Sequence, residues 1–296
     1  MTEADFLALL RALPLHPGTR GLRDDAATLA GLVVTTDTLV EGVHFLSRDP
    51  PADVAWKLVA TNLSDLAAKG ALLEGVLLNY PLSDDRWDAA FLAGFAEVLT
   101  AYGCPLIGGD TVTLPPGAPR ILTLTALGHD AAAPDRRGAR AGDALWVTGT
   151  IGDAGAGLAI ARGAAGPPEL LAAYRRPLPR LSEGRALGPV VHAMMDVSDG
   201  LLIDAARMAA ASGLTVTVDL ARVPLSQHYR EAGGDPLAAA CAGDDYELLF
   251  ALGPDAVPPV RATRIGDFAP GAGLALAHRG APVPLPPRLG FEHRGR

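Results

Sequence analysis

Three times along this chain a short apolar run breaks off at an aspartate. Leu32-Val33-Val34-Thr35-Thr36 leads into Asp37, Leu106-Ile107-Gly108-Gly109 into Asp110, and a third run ends at Asp196. Between these runs the apolar residues recur at helical spacing. Short runs bounded by turn residues read as buried strands and the periodic segments as helices. Strands that alternate with helices imply an α/β layered fold, in which the carboxyl ends of strands border the ligand crevice. The aspartates are therefore placed to meet there.

The first half carries most of this alternation. The helix after Pro51 has Val59, Leu63, Leu66 and Gly70 on its pattern and carries Asp65. Val76–Tyr80 reads as a strand. Trp87, Phe91, Phe95, Val98 and Tyr102 mark a helix that Gly103 ends. Ile121–Leu127 reads as a further strand, and the small, polar stretch 128–143 as a loop between two domains. The expected division is 1–137 and 138–296. The second half restarts with a strand at Ala144–Thr148, a turn through Gly149–Gly157, and a helix from about Asp153. Helix is expected through Leu170-Leu171 and through the segment before Asp196, then from Ser198 to about Ala211. Strands follow at Leu214–Leu220 and Tyr246–Leu252, and no pattern emerges after Pro254. The expected class is α/β with α+β character, in two domains, as 296 residues with 49% hydrophobic and 20% charged content permit.

Composition excludes several functions. The net charge of −8 and the lack of a basic stripe argue against nucleic acid as a partner. Cys104 and Cys241 have neither disulfide-framework nor zinc-site spacing. The N-terminus has no signal-peptide pattern and no apolar run reaches about 18 residues, so no membrane association and a cytoplasmic location are expected. Lysine is confined to Lys57 and Lys69, which reads as base composition and leaves no Walker-type loop. The Gly149–Gly157 stretch misses the G-x-G-x-x-G spacing of a dinucleotide loop.

The placement of the acids carries the chemistry. Besides Asp37, Asp110 and Asp196, the chain has Asp24-Asp25, Asp199 beside Ser198, and Asp244-Asp245. Two like charges 4 Å apart repel by roughly 4 kcal/mol at an effective dielectric near 20. Hard divalent cations with oxygen ligands, magnesium above all, relieve this and usually accompany substrate phosphates. Thr35, Thr36 and Ser198 add neutral oxygens, and a helix opening at Ser198 would favour a phosphate. His44 is a candidate for a substrate phosphate. Singly, each of these is an ordinary turn or cap residue; jointly they point to magnesium-dependent phosphoryl transfer from ATP.

Together the motifs resemble the thiamine-monophosphate kinase family of the aminoimidazole-ribonucleotide-synthetase-like ATP-binding superfamily. The matching segments are Asp24-Asp-Ala-Ala27, Thr35-Thr-Asp-Thr-Leu-Val-Glu-Gly-Val-His-Phe45, Asn62-Leu-Ser-Asp-Leu-Ala-Ala68, Ile107-Gly-Gly-Asp-Thr111, Asp196-Val-Ser-Asp-Gly-Leu201 and Gly243-Asp-Asp-Tyr-Glu-Leu248, in the family's order. The resemblance implies ATP and thiamine phosphate as substrates, with thiamine diphosphate and ADP as products. It implies several magnesium ions and leaves room for a monovalent cation. Asp25, Thr35, Thr36, Asp37, Asp65, Asp110, Asp196 and Asp199 match its metal positions. Gly109, Asp110, Arg136 and Ser198 match nucleotide positions, and His44, Asp244 and Phe291 match substrate positions. It also implies an N-terminal mixed-sheet domain that binds ATP and pairs as a homodimer, with a C-terminal α/β domain completing the site. The chain departs from the family pattern at Arg23, where glycine is usual, at Lys69, usually methionine, and at Asp244, more often glutamate. The rival reading is another ATP-dependent enzyme of the superfamily with a different small acceptor.

Overall fold

A computed structural model describes residues 2–129 and 133–293. Helix α1 (Glu3–Leu10) precedes β1 (Ala27–Leu29), β2 (Leu32–Val40), α2 (Pro51–Ala68), β3 (Leu72–Leu82), α3 (Asp85–Tyr102), β4 (Leu106–Thr113) and β5 (Ile121–His129). These strands form one sheet in the order β1-β2-β5-β3-β4, in which β3 and β4 run parallel. A parallel pair needs a long crossover, and the helix α3 supplies it.

Burial alternates along β5. Leu122, Leu124 and Ala126 are fully buried, whereas Thr123 and Thr125 are not. The buried face packs on Leu58, Leu63 and Leu66 of α2 and on Phe91, Phe95 and Val98 of α3. The other face carries Thr36, Thr38, Thr123 and Thr125, which bond one another at 2.9–3.1 Å.

The second half folds as β6 (Ala144–Thr148), α4 (Asp153–Ala161), α5 (Pro168–Arg175), α6 (Leu181–Leu187), β7 (Ala193–Asp196), α7 (Leu201–Ser212) and β8 (Leu214–Asp219). Then come α8 (Gln227–Glu231), α9 (Pro236–Cys241), β9 (Leu248–Leu252), β10 (Ala262–Pro270), β11 (Gly273–His278) and β12 (Ala281–Val283). A seven-stranded sheet results, ordered β12-β11-β8-β10-β6-β9-β7 and largely antiparallel, with β11 and β8 parallel. The chain is thus mixed α/β in two sheets, in keeping with the α+β part of the expectation.

Three local expectations are corrected. The segment directly before Asp196 is the buried strand β7; Ala193-Met194-Met195 is too short to be a helix, and α6 ends at Leu187. The tail after Pro254 supplies three strands; β10 and β11 pair with distant β6 and β8, which leaves no local signal, and β12 folds back on β11. The last helix before β8 opens at Leu201 rather than Ser198.

Helix α2 positions the site because it lies against both sheets, touching β2 and β5 on one side and β7 on the other. Its C-terminal turn ends in small residues. Ala67 and Ala68 pack with Leu187, Met194, Leu248 and Phe250, and a Cβ at Gly184 of α6 would fall 2.0 Å from the Ala67 carbonyl. No helix among the described residues is long and apolar enough to cross a membrane.

Candidate active site

Asp65 lies on the seam between the sheets because α2 carries it there. One carboxylate oxygen each of Asp25, Asp65 and Asp196 lies within 4.8 Å of the others. Thr35, on the helix-covered face of β2, donates its hydroxyl to Asp65, and Ser64 Oγ donates to Asp196 at 2.6 Å. Asp37, two residues along β2 from Thr35, faces the same seam, its N–H held by Asn62 Oδ1 at 3.2 Å. Among the described residues no lysine or arginine pairs with Asp37, Asp65 or Asp196. Burial, then the charges of Asp25 and Asp199, raise the Asp37 carboxyl to about 6. Burial first, and then the surrounding aspartates, hold Asp65 and Asp196 well above the ordinary range. Such a group of oxygen-only donors holds protons more tightly than ordinary carboxylates do, and it fits a hard divalent cation that would take their place.

The remaining acids are neutralised by the protein. Arg136 pairs with Asp25 and Arg20 with Asp24, while Lys69 reaches both acids at 2.6–2.7 Å. Although burial opposes ionisation of Asp25, Arg136 and Lys69 outweigh it and lower its carboxyl to about 2. Arg207 pairs with Asp199 at 2.5 Å and with Asp204 at 2.8 Å.

Asp204 also explains the late start of α7. Its Oδ2 accepts the N–H groups of Ser198, Asp199 and Gly200 at 3.1–3.2 Å. The amides expected to favour a phosphate are therefore engaged by the chain itself, and Ser198 is not the cap residue. The turn instead directs Ser198 and Asp199 into a cavity of about 880 Å³, which they share with Asp37, Asp65 and Asp196. His44, Asp244 and Phe291 line the same cavity.

Asp244 and Tyr246 are both left-handed, with φ of 70° and 51°, a conformation that costs a non-glycine residue about 1 kcal/mol or more. Backbone bonds from Asp244 and Tyr246 to the carbonyls of Ser198 and Val197 hold it at 2.8 Å. Asp244 then receives Tyr246 Oη at 3.0 Å on one oxygen and Lys57 Nζ at 2.7 Å on the other. Lys57 also donates to the His44 carbonyl at 3.1 Å and lies over the Tyr174 ring. His44 Nδ1 accepts the Val40 N–H at 3.0 Å, so its proton sits on Nε2. Burial and the nearby His293 lower its pKa, keeping the ring neutral. Phe291, 44% exposed, is anchored by its N–H to the Asp199 carbonyl at 2.9 Å.

Asp110 and Thr36 are not brought to this cluster. The register Thr38–Thr123–Asn79–Asp110 runs straight across β2, β5, β3 and β4, about 14 Å at the usual strand spacing. Directly opposed residues share a face, so Asp110 lies on the open side with Thr38, opposite Asp37. Thr36 is on that side too, bonded to the Leu124 carbonyl and Thr125. Gly109 sits beside Leu78 on β3, away from the carboxylates. Arg136 lines a second cavity of about 1020 Å³ together with Arg11, Arg23 and Arg207, and this adjoins the first at Asp199 and His293.

Sequence reading passed over Lys57, Asp204, Arg207 and Tyr246. Only the rarity of lysine marks Lys57 in the sequence, and that reads as base composition. Asp204 and Arg207 stand one helical turn apart on α7, a spacing that fits an ordinary surface pair as well.

Comparison with known proteins agrees with this architecture. Residues 23–129 match the AIR synthase related protein N-terminal domain and residues 140–275 its C-terminal domain. A thiamine-monophosphate kinase of Caulobacter vibrioides is 39% identical over 99% of this chain and 91% of its own length. That of Escherichia coli K12 is 37% identical over 92% and 91%. The solved structure of AaThiL complexed with AMPPCP and TMP superposes with a TM-score of 0.87 at 29% identity, covering 99% of this chain and 97% of the other. On the strength of its two domains and of relatives matched nearly end to end, the chain belongs to the thiamine-monophosphate kinase family of AIR synthase related proteins.

Proposed function

We propose that this chain transfers the γ-phosphoryl group of ATP to thiamine phosphate, giving thiamine diphosphate and ADP, the last step of thiamine diphosphate biosynthesis. The observation that supports this most is the meeting of Asp25, Asp65 and Asp196 beside Asp37, at a cavity that Asp37, Asp65 and Asp196 line together with His44, Asp244 and Phe291. Thiamine phosphate carries a cationic ring and an anionic phosphate. Phe291 offers an aromatic face and Asp244 a carboxylate to the first, and neutral His44 an N–H donor to the second. The arginine-lined cavity suits the polyphosphate nucleotide, with Arg136 as its contact there and Ser198 as its contact in the adjoining cavity.

Asp25, Asp37, Asp65, Asp196 and Asp199, with Thr35, would hold magnesium, which when bound supplies charge neutralisation between the two phosphate groups. The attacking oxygen belongs to a phosphate already ionised at neutral pH, so no side chain has to remove a proton. The chain's task is alignment for in-line transfer and screening of like charge. Asp37→Asn is expected to lower turnover at least about 100-fold. Near-normal initial rates at saturating magnesium would overturn the assignment.

We further propose a homodimer built on the first sheet, with 1–137 as the nucleotide and dimerisation unit and 138–296 completing the site. Leu106, Ile107 and Val112 on the edge strand β4 are 53%, 55% and 49% exposed. A flat apolar edge of this kind is usually covered by another chain. Asp110, remote from the cluster of its own chain, would then serve the nucleotide and metal bound by the partner.

A further inference from the structure

Lys69 ends α2 at 1% exposure, and its ammonium is surrounded by four oxygens. They are Asp24 Oδ1 at 2.6 Å, Asp25 Oδ2 at 2.7 Å, the Pro134 carbonyl at 3.2 Å and the Met194 carbonyl at 3.3 Å. An ammonium has three N–H bonds to give, and the contact with Asp25 Oδ2 is ionic rather than a directed hydrogen bond. The group is therefore held as a ball of charge is held, by the number of oxygens around it. Two are anionic and two are backbone carbonyls, drawn from three separate segments. Carbonyls and carboxylates that replace a hydration shell in this way form the donor set of a free monovalent cation. Arg136 does not duplicate the role, because its planar fork engages Asp25 from the Oδ1 side.

We propose that Lys69 is a tethered monovalent cation at the edge of the acidic site, a positioning residue that fixes Asp25 without a free ion. Asp25 is one of the three converging carboxylates. Pro134 lies two residues before Arg136, and Met194 two before Asp196. One ammonium thus sets the place of a metal-facing acid, of the candidate nucleotide arginine and of β7. Only the naming of the site as a kinase site rests on the proposed function; the oxygen cage stands apart from it. The chain is accordingly expected to need no potassium or ammonium ion for stability or divalent binding.

The test compares wild type, Lys69→Ala and Lys69→Met in potassium, ammonium and tetramethylammonium chloride at one ionic strength. It reads Tm and manganese affinity by paramagnetic resonance, without ATP or thiamine phosphate, so its failure is separate from failure of the kinase reading. Wild type is expected to differ by less than about 1 °C and twofold among the salts. Lys69→Ala in tetramethylammonium is expected to lose at least about 5 °C and about tenfold in manganese affinity. Potassium or ammonium should restore at least half of both losses, since tetramethylammonium is too large for the cage. Lys69→Met fills the space with an apolar stem and should show the loss without the rescue. Indifference of folded Lys69→Ala to the cation, or a potassium requirement in wild type, would overturn the proposal. Should Lys69→Ala fail to fold in every salt, Lys69→Met decides: manganese affinity within about twofold of wild type also overturns it, and a tenfold loss without rescue upholds it.

Discussion

At the residue scale the site divides its acids into two kinds, and their titrations run in opposite directions. Asp37, raised to about 6, binds its proton more tightly folded than unfolded. Its contribution favours the fold at pH below about 4 and is lost as pH rises through about 6. Asp25, lowered to about 2, contributes above about 4 and loses this only as pH falls through about 2. A divalent ion competes with the protons of Asp37, Asp65 and Asp196, so the rise in Tm on adding magnesium should grow steadily from pH 5 to pH 7.5. A flat response measured by calorimetry would contradict this division. Lys57 makes a second prediction. Its replacement by methionine leaves Asp244 without its cation and releases the His44 carbonyl, so the KM for thiamine phosphate should rise at least about tenfold. The KM for ATP should stay within about twofold. Equal changes in both would mean a merely structural lysine. Asp37, Asp65 and Asp196 could be picked out in the sequence because strand ends and a helix pattern flanked them. Lys57 and Lys69 could not be, since a lysine's neighbours in sequence do not say whether its ammonium will be buried against a distant aspartate.

At the element scale α2 and β4 carry the account. Helix α2 was legible from its apolar period, as were β2, β5 and α3. Its contact with β7, which turns a core helix into the floor of the site, depends on the small residues Ala67 and Ala68 packing with Met194, and no local pattern reveals that. Strand β4 is different. The resemblance matches Gly109 to a nucleotide position; in the fold it lies within the strand, at φ 152° against the Leu78 backbone. A Cβ there would fall 1.8 Å from the Leu78 carbonyl. Gly109→Ala is therefore expected to part β4 from β3 and to cost at least about 2 kcal/mol in denaturant unfolding. An unchanged midpoint would show that the strand relaxes freely.

At the scale of the whole molecule, the two sheets meet at a seam whose chemistry neither could assemble alone. Asp25, Asp37 and Asp65 come from the first half, while Asp196, Asp199 and Asp244 come from the second. Asp110 belongs to neither group within one chain, and the proposed dimer accounts for it. A mixture of Asp37→Asn and Asp110→Asn chains, each inactive alone, should then recover about a quarter of wild-type activity, as half the dimers would hold one intact site. No recovery on verified subunit exchange would confine Asp110 to its own chain. The central claim is that this seam moves phosphate from ATP to thiamine phosphate, and phosphorus NMR of the purified protein tests it most directly. With ATP, magnesium and thiamine phosphate present, thiamine diphosphate should appear one-for-one with ADP, and with any one component left out it should not. ATP consumed to inorganic phosphate with no diphosphate formed would contradict the claim and point to a different acceptor.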